Sequence, residues 1–254
     1  MILLTKESII KGLENKDIKV DVLQKTESTN DYFENIISDS PYLCVADYQS
    51  KGRGRLNREW VSPSGSNIYI SLLYRFYKYT NQLSGLSLST GLAIREALMA
   101  SSEVDGISVK WPNDILYEGR KLAGILIETK SIDNQFYAVV GIGVNVNMEN
   151  PEEEIQGRWI SLRQITGKEQ DRSELISNIV NSVIKYYKKL ERYGFSQFES
   201  EWEANDVLRG RQVKLKQDNR IFEGLCLGVD ECGRLSIRTD TGLRFFNYGE
   251  ATTR

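Results

Sequence analysis

Residues 52–60 of this 254-residue chain read GRGRLNREW, a stretch that places three arginines beside two glycines. Glycine lets the backbone approach a ligand closely, and the arginine guanidinium is a planar fork of donors that matches carboxylate and phosphate groups. The stretch therefore predicts a loop that closes over an anion. A solvated surface loop is the alternative interpretation, because short basic segments are common on protein surfaces.

The chain as a whole carries no excess of positive charge, since 33 lysines and arginines are balanced by 35 aspartates and glutamates. A broad basic field that would draw the protein onto nucleic acid or an anionic membrane is excluded, so an anion site must be local. Lys6 and Glu7 interrupt the N-terminal apolar run too early for a secretion signal, and no later run has the length of a membrane span.

The chain contains no histidine, which excludes histidine triads and imidazole-ligated metals. Catalysis then falls to lysine, arginine, carboxylates and amides, which are suited to binding and orienting charged reactants. Three cysteines, Cys44, Cys226 and Cys232, leave one thiol unpaired and have no CxxC spacing. A reducing cytoplasm is therefore the expected compartment.

Hydrophobic periodicity predicts an α+β protein in which a mixed sheet with packed helices is followed by a small all-β unit. The expected boundary follows Asn205 and divides residues 1–205 from residues 206–254. The predicted strands of the first unit are 18–24, 42–49, 66–76, 107–111, 114–117, 121–130 and 135–147. The first unit has five predicted helices. They are 5–14, one that begins at or just after Ser28 and Thr29, 82–100, one from the capping pattern of Asp171 and Glu174 to Leu190, and 194–204.

The segment 109–126, VKWPNDILYEGRKLAGIL, carries polar side chains that could share a site with the basic loop. Asn113 and Asp114 follow Pro112, and an aspartate at such a turn could hold Mg²⁺ or a nucleotide. Lys121 opens an apolar strand in which small residues leave room for a flat ligand. A plain strand–turn–hairpin with a solvated lysine is the alternative interpretation.

Two further segments add polar groups. ESTN, residues 27–30, supplies hydroxyls and an amide where the dipole of a predicted helix favours polar ligands, although simple capping is the alternative. GIGVNVN, residues 141–147, reads as a strand whose Asn145 points toward a pocket, because no helix follows it as a dinucleotide fingerprint requires.

Taken in order, STN, YQSKGRGRLNREW, KWPNDI, KLAGIL and GIGVNVN resemble the biotin protein ligases from about Val20 to the C-terminus. The resemblance implies a catalytic domain of the class II synthetase type followed by a small SH3-like β-barrel. It also implies the reaction, in which biotin and ATP form biotinyl-5′-AMP and the biotinyl group passes to a lysine of a carboxylase's biotin carboxyl carrier domain. Biotin, ATP and Mg²⁺ are the implied ligands.

The resemblance also implies roles for individual residues. Lys121 and Arg55 correspond to the catalytic pair, and Asp114 to a candidate Mg²⁺ ligand. The implied biotin contacts are Ser28, Thr29, Asn30, Gln49, Arg53, Gly54, Arg55 and Lys121. The implied ATP contacts are Arg58, Trp60, Asn113, Asp114 and Asn145.

Two features depart from the family pattern. Some members carry a DNA-binding winged helix before the catalytic domain, and the short segment before Val20 predicts a monofunctional ligase that does not bind DNA. Leu56 and Asn57 stand where further arginine and glycine often occur. The sequence does not decide the oligomeric state, and a homodimer is compatible with it.

Two alternative functions remain at this stage. A lipoate ligase or octanoyltransferase of related fold is the nearer one, and an RNA-binding module that uses the Arg–Gly loop and the C-terminal β unit is the more distant one. The combination of GRGR with KWPND argues against the lipoate alternative. The strand segment KLKQDNRIFEG, residues 214–224, offers only one aromatic residue among its basic ones, which argues against the RNA-binding module.

Overall fold

The computed structural model describes residues 4–77, 85–133, 135–149 and 158–253. The helices are α1 Lys6–Gly12, α2 Leu86–Ser102, α3 Leu162–Thr166, α4 Arg172–Tyr193 and α5 Glu199–Asn205. The strands are β1 Lys19–Leu23, β2 Tyr42–Ala46, β3 Ile68–Phe76, β4 Ile107–Lys110, β5 Asp114–Tyr117, β6 Arg120–Ile132, β7 Gln135–Val144, β8 Gln212–Gln217, β9 Arg220–Val229, β10 Leu235–Thr239, β11 Gly242–Phe246 and β12 Glu250–Thr253.

The larger sheet contains seven strands in the order β1-β2-β3-β7-β6-β5-β4. The β1–β2 pair is parallel and the other pairs are antiparallel, which confirms the predicted mixed sheet. Helices α1, α2 and α4 cover one face of this sheet. In the described ranges, every helix is too short or too polar to cross a lipid bilayer.

Side chains alternate between the two faces of the sheet, as the period of a β-strand requires. On β3, Ile70 and Leu72 face the helices in the main hydrophobic core. Ser71 lies between them and faces the other side, where it is opposite Gly141 of β7. This second face carries small and polar residues at its centre, so it leaves room for a site.

Helix α4 begins where the sequence predicts. The Asp171 carboxylate accepts hydrogen bonds from the backbone N–H groups of Ser173 and Glu174, which satisfies donors that a helix start leaves unpaired. The next residue, Arg172, is buried and donates to the Asp47 carboxylate at 2.9 Å. The pair ties the start of α4 to the segment that follows β2.

The smaller sheet is antiparallel and has the order β11-β10-β9-β8-β12. Strands β11 and β12 lie at its two ends, so closure of the predicted barrel stays a prediction. The connection to the larger sheet is made by hydrogen bonds, from Val207 N to Val109 O at 3.1 Å and from Trp111 Nε1 to Gly233 O at 3.3 Å. These bonds fix the small sheet beside β4.

The prediction of a helix that begins at or just after Ser28 and Thr29 is wrong. The segment forms only a short 3-10 helix, Asp31–Phe33, and Asn30 before it makes no side-chain capping bond. The side chains of Thr29 and Asn30 bond instead to Gln49 and Ser71. Tertiary partners thus replace the capping bonds. The helix predicted from residue 82 begins at Leu86, and residues 82–84 lie outside the described ranges.

Candidate active site

Three glycines form the floor of the site on the sheet face opposite the helices. Gly124 on β6 pairs with Gly143 on β7, and Gly141 is two residues away on the same face. A Cβ at Gly143 would lie 2.5 Å from the Trp60 ring, and one at Gly141 would collide with the Asn30 amide. The absence of side chains here therefore allows Trp60 and Asn30 to lie directly on the sheet.

The basic loop forms a short hairpin above this floor. Trp60 N donates to Gly52 O at 2.9 Å, and Gly54 N donates to Arg58 O at 2.7 Å. Leu56 and Asn57 form the tip and adopt left-handed backbone angles, with φ of 56° and 57°. The tip is a sharp turn, which exposes Leu56 and directs the flanking arginines toward neighbouring elements.

A smaller cavity of about 60 Å³ lies between the loop and the glycine floor. Thr29 donates to Gln49 Oε1 through its backbone N at 2.9 Å and through its hydroxyl at 3.1 Å. The Ser71 hydroxyl contacts both Asn30 Oδ1 at 2.6 Å and Thr29 Oγ1 at 2.7 Å. All eight residues with predicted biotin contacts line this cavity: Ser28, Thr29, Asn30, Gln49, Arg53, Gly54, Arg55 and Lys121.

A larger cavity of about 230 Å³ opens beside the first. All five residues with predicted ATP contacts line it, namely Arg58, Trp60, Asn113, Asp114 and Asn145. The wall also includes the cations Lys110 and Arg158, so positive side chains outnumber the carboxylates of Glu59, Asp114 and Glu250 around the larger cavity. Such an arrangement suits a polyanionic ligand.

Lys121 and Arg55 line both cavities. Lys121 Nζ lies 2.7 Å from Asp114 Oδ1 and 5.2 Å from the centre of the Trp60 ring. The Arg55 guanidinium lies within 3.4 Å of Asn113 Oδ1 and 3.3 Å of Gly249 O. Burial lowers the pKa of Arg55, although the carboxylates of Asp114 and Glu250 act in the opposite direction.

Residues of the small sheet complete the larger cavity. Arg58 donates to both carboxylate oxygens of Glu250, at 2.7 and 2.5 Å, in the two-point geometry that is favoured for arginine. The hydrogen bonds raise the pKa of Arg58 and lower that of Glu250. The basic loop is thus fastened at one side to β12.

Two indole N–H groups on the cavity wall have no acceptor within the described part of the chain. They are Trp60 Nε1 and Trp159 Nε1, and both are buried. A buried donor without a partner is costly, so a ligand that supplies an oxygen or nitrogen acceptor here would satisfy it.

The donor set is compatible with a nucleotide-bound Mg²⁺. The described residues contain no cluster of three or more metal-binding side chains. Mg²⁺ is commonly held by one or two carboxylates together with substrate phosphates and water, and Asp114 supplies one such carboxylate. One of its oxygens contacts Lys121.

Several residues at the site were not predicted from the sequence. Ser71 reads as an ordinary strand residue, and Glu128 lies two residues after KLAGIL in the same strand without any motif of its own. Arg158 and Glu250 are distant in sequence from the other site residues and reach the larger cavity through tertiary structure. The local sequence at these positions carries no signal for a ligand site.

The chain matches known ligases over both sheets. Residues 21–145 match the biotin/lipoate A/B protein ligase family, and residues 209–252 match the biotin protein ligase C-terminal domain. The bifunctional ligase/repressor BirA of Escherichia coli is 33% identical, over 99% of this chain and 78% of that protein. The biotin–[acetyl-CoA-carboxylase] ligase of Paracoccus denitrificans is 30% identical, over 87% of this chain and 95% of that one.

Comparison of three-dimensional structures gives the same family. The biotin protein ligase from Aquifex aeolicus, in complex with biotin and ATP, matches with a TM-score of 0.82 at 33% identity. The match covers 93% of this chain and 98% of that structure. The chain therefore belongs to the biotin protein ligases, and it is an enzyme of the biotin–[acetyl-CoA-carboxylase] ligase type.

Proposed function

We propose that the smaller cavity takes biotin, that the larger cavity takes ATP, and that Lys121 and Arg55 bring the two reactants together to form biotinyl-5′-AMP. The observation that carries this proposal is that both cations line both cavities. A reaction between two separately bound molecules requires such a shared boundary, because the reacting atoms must be held in contact.

The chemistry fits a site without histidine. Biotin's carboxylate is ionised at neutral pH, so its oxygen can attack the α-phosphorus of ATP without a general base. The new bond joins that oxygen to phosphorus, the bond from the α-phosphorus to the bridging oxygen breaks, and pyrophosphate leaves with the electron pair. Because the reactants repel each other, cations at the junction lower the barrier by neutralising this repulsion and the developing charge.

The smaller cavity supplies hydroxyl and amide groups that can pair with the urea ring of biotin. A cavity of about 60 Å³ holds only a few water molecules, since one water needs about 10–15 Å³. Biotin is larger than this, so the loop and Trp60 must move away from the glycine floor to admit it. Closure of the loop afterwards would shield the reactive anhydride from water.

The larger cavity supplies the counter-charges for a nucleotide. Arg58 and Asn113 are assigned to ATP with Asn145 and Trp60, and Asp114 is assigned to Mg²⁺ as well as to ATP. When bound, Mg²⁺ would neutralise phosphate charge and improve pyrophosphate as a leaving group. The buried indole N–H of Trp60, which has no acceptor among the residues that the structure describes, supports a ligand acceptor at this position.

In the second half-reaction, a lysine amine of a biotin carboxyl carrier domain attacks the carbonyl carbon of the adenylate. An amide bond forms, the bond to the AMP oxygen breaks, and the amine loses its proton to solvent. The relatives named as biotin–[acetyl-CoA-carboxylase] ligases support this acceptor class over the lipoate alternative.

We also propose a division of the chain into domains and a cellular compartment. We assign residues 1–205 to a catalytic domain and residues 206–254 to a C-terminal domain. Cys44, Cys226 and Cys232 are all unpaired, which supports a reducing cytoplasm. Absence of DNA binding, and the homodimer that the sequence leaves open, stay predictions.

The test is biotin-dependent exchange of labelled pyrophosphate into ATP in the presence of Mg²⁺, followed by mass spectrometry of a carrier domain added to the same mixture. Exchange with biotin and a mass gain of one biotinyl group on the carrier are expected. Exchange with lipoate but not with biotin would favour the lipoate ligase instead.

A further inference from the structure

Glu128 is a carboxylate that contacts Asn30 and Arg53, two residues that line the smaller cavity, and the proposed function gives it no role. It lies on β6 opposite Val139, so it faces the same side of the sheet as the glycine floor. Its Oε2 accepts a hydrogen bond from Asn30 Nδ2 at 2.8 Å. Its other oxygen, Oε1, lies 3.6 Å from Nη2 of Arg53 on the loop.

The contact with Glu128 determines which way the Asn30 amide points. Asn30 is buried, with 5% of its surface exposed, and its Oδ1 accepts from Ser71 while its Nδ2 faces Glu128 and the Leu126 carbonyl. A reversed amide would place its oxygen against these two acceptors. Glu128 therefore holds the amide in one orientation, and that orientation decides what Asn30 offers to a ligand.

The contact with Arg53 connects the same carboxylate to the loop. The Arg53 guanidinium is paired with Asp31 and lies near Glu128, and Asp31 directly follows Asn30 in the chain. Arg53 stands opposite Glu59 in the loop hairpin. The carboxylates of Asp31 and Glu128 thus hold Arg53, and with it one strand of the loop, against the part of the cavity wall that carries the Asn30 amide.

We propose that Glu128 is a positioning residue that fixes the Asn30 amide for biotin and, through Arg53, tethers the loop in its closed position. This inference rests on the proposed function. The first role needs only a hydrogen-bond acceptor, whereas the second needs a negative charge. Glutamine supplies the acceptor without the charge, and alanine supplies neither, so the two roles can be separated.

The experiment compares wild type with Glu128→Ala, Glu128→Gln and Asp31→Asn. Biotin-dependent pyrophosphate exchange gives KM for biotin and kcat. Trypsin cleavage after the loop arginines, measured with biotin and ATP present, reports loop closure. Glu223→Ala is the matched control, because Glu223 is also a strand glutamate in an ion pair, and its partner Lys214, unlike Asn30 and Arg53, lines neither cavity.

We expect Glu128→Ala to raise KM for biotin about tenfold while kcat changes less than about threefold, as loss of one charge-assisted hydrogen bond implies. Glu128→Gln should return KM to within about threefold of wild type. All three site variants should be cleaved by trypsin faster than wild type, and Glu223→Ala should match wild type in both measurements.

An unchanged KM in Glu128→Ala, with wild type active, would overturn the inference. Equal loss in the alanine and glutamine variants, or trypsin rates equal to wild type, would overturn it as well. If Glu128→Ala does not fold, as judged by its melting transition, the KM and cleavage rate of Glu128→Gln and Asp31→Asn decide the matter. Absence of biotin-dependent exchange in wild type would refute the proposed function itself, which is a distinguishable result.

Discussion

Lys121 reaches Asp114 across Gly124, and the resulting contact of 2.7 Å lies where the two cavities meet. Gly124 stands directly opposite Asp114 in the β5–β6 pair. A Cβ at Gly124 would lie 2.9 Å from both Lys121 Cε and the Trp60 ring, so a side chain here would displace the lysine and the indole from their present positions. The glycine thereby places an ammonium group, with its counter-ion, at the junction of the proposed reactants.

Replacement of this ammonium should impair adenylation more than it impairs folding. Lys121→Ala is expected to lower kcat/KM for biotin-dependent pyrophosphate exchange by about 10²–10³, the usual cost of removing a group that stabilises developing charge. Lys185→Ala is the control, because Lys185 pairs with Glu96 at 2.7 Å and lines neither cavity. Full activity in Lys121→Ala would remove Lys121 from the mechanism.

The glycine floor predicts two distinct kinetic defects. Gly141→Ala would displace the Asn30 amide and should raise KM for biotin with little effect on ATP. Gly143→Ala would displace the Trp60 ring, which lines both cavities, and should raise KM for both substrates. Gly91→Ala in α2 is the control, since its added Cβ would make only ordinary contacts at 3.8 Å or more. Identical defects in the two floor variants would contradict the division of the site.

The pair formed by Arg58 and Glu250 predicts that the small sheet contributes to ATP binding. Glu250→Gln should raise KM for ATP by no more than about fivefold. The effect is modest because ion pairs at partly exposed positions are weak. The hydrogen bonds from Arg58 hold the pKa of Glu250 below its ordinary value of 4.5. The stabilising interaction is therefore present above that pH and is lost as the pH falls through the lowered pKa.

The ratio of KM for ATP between Glu250→Gln and wild type should accordingly be constant from pH 6 to 9, and it should shrink at high salt. Titration of KM for ATP at two ionic strengths checks both points. A ratio near one at low salt would show that the fastening of the loop to β12 has no part in nucleotide binding.

Asp206 predicts a pH dependence of stability at the boundary between the two sheets. Its Oδ1 accepts from Leu208 N at 2.9 Å, and burial raises its pKa from 3.8 to about 6. The raised pKa means that the folded state favours the protonated acid. Asp206 therefore contributes about 3 kcal/mol to the free energy of unfolding. This stabilisation is complete below pH 3.8 and is lost as the pH rises through about 6.

Asp206→Asn should remove this part of the pH dependence of the free energy of unfolding, measured by denaturant titration between pH 4 and 7.5. Asp105→Asn, at an exposed position, is the control and should keep the wild-type slope. The same slope in Asp206→Asn and wild type would contradict the raised pKa.

Much of this site could be predicted because its residues occur in short local motifs. Residue type and spacing make the loop, the KWPND turn and Lys121 candidates, and the resemblance to the biotin protein ligases implies their roles. The structure brings all of them to one cleft. The prediction of a helix at or just after Ser28 and Thr29 was wrong because both of its signals, capping chemistry and helical spacing, are local. Thr29 and Asn30 bond instead to the Gln49 amide and the Ser71 hydroxyl. Gln49 lies after β2 and Ser71 lies on β3, so only the tertiary structure brings these groups together.

The roles of Glu128 and Glu250 also depend on tertiary structure that local sequence does not show. Each is an ordinary strand residue in the sequence, and its role depends on strand register or on docking of the small sheet. Neither dependence can be inferred from a local pattern. A glycine such as Gly124 is similar, because its purpose becomes visible only when the Lys121 side chain is seen to lie across it.

The most direct test of the central claim is a crystal structure with a non-hydrolysable analogue of biotinyl-5′-AMP. The account predicts one continuous ligand through both cavities, with its bicyclic ring near Thr29 and Asn30 and the phosphate-equivalent group beside Lys121 and Arg55 under the closed loop. A ligand bound outside these cavities, or a loop that points into solvent while the analogue is bound, would contradict it.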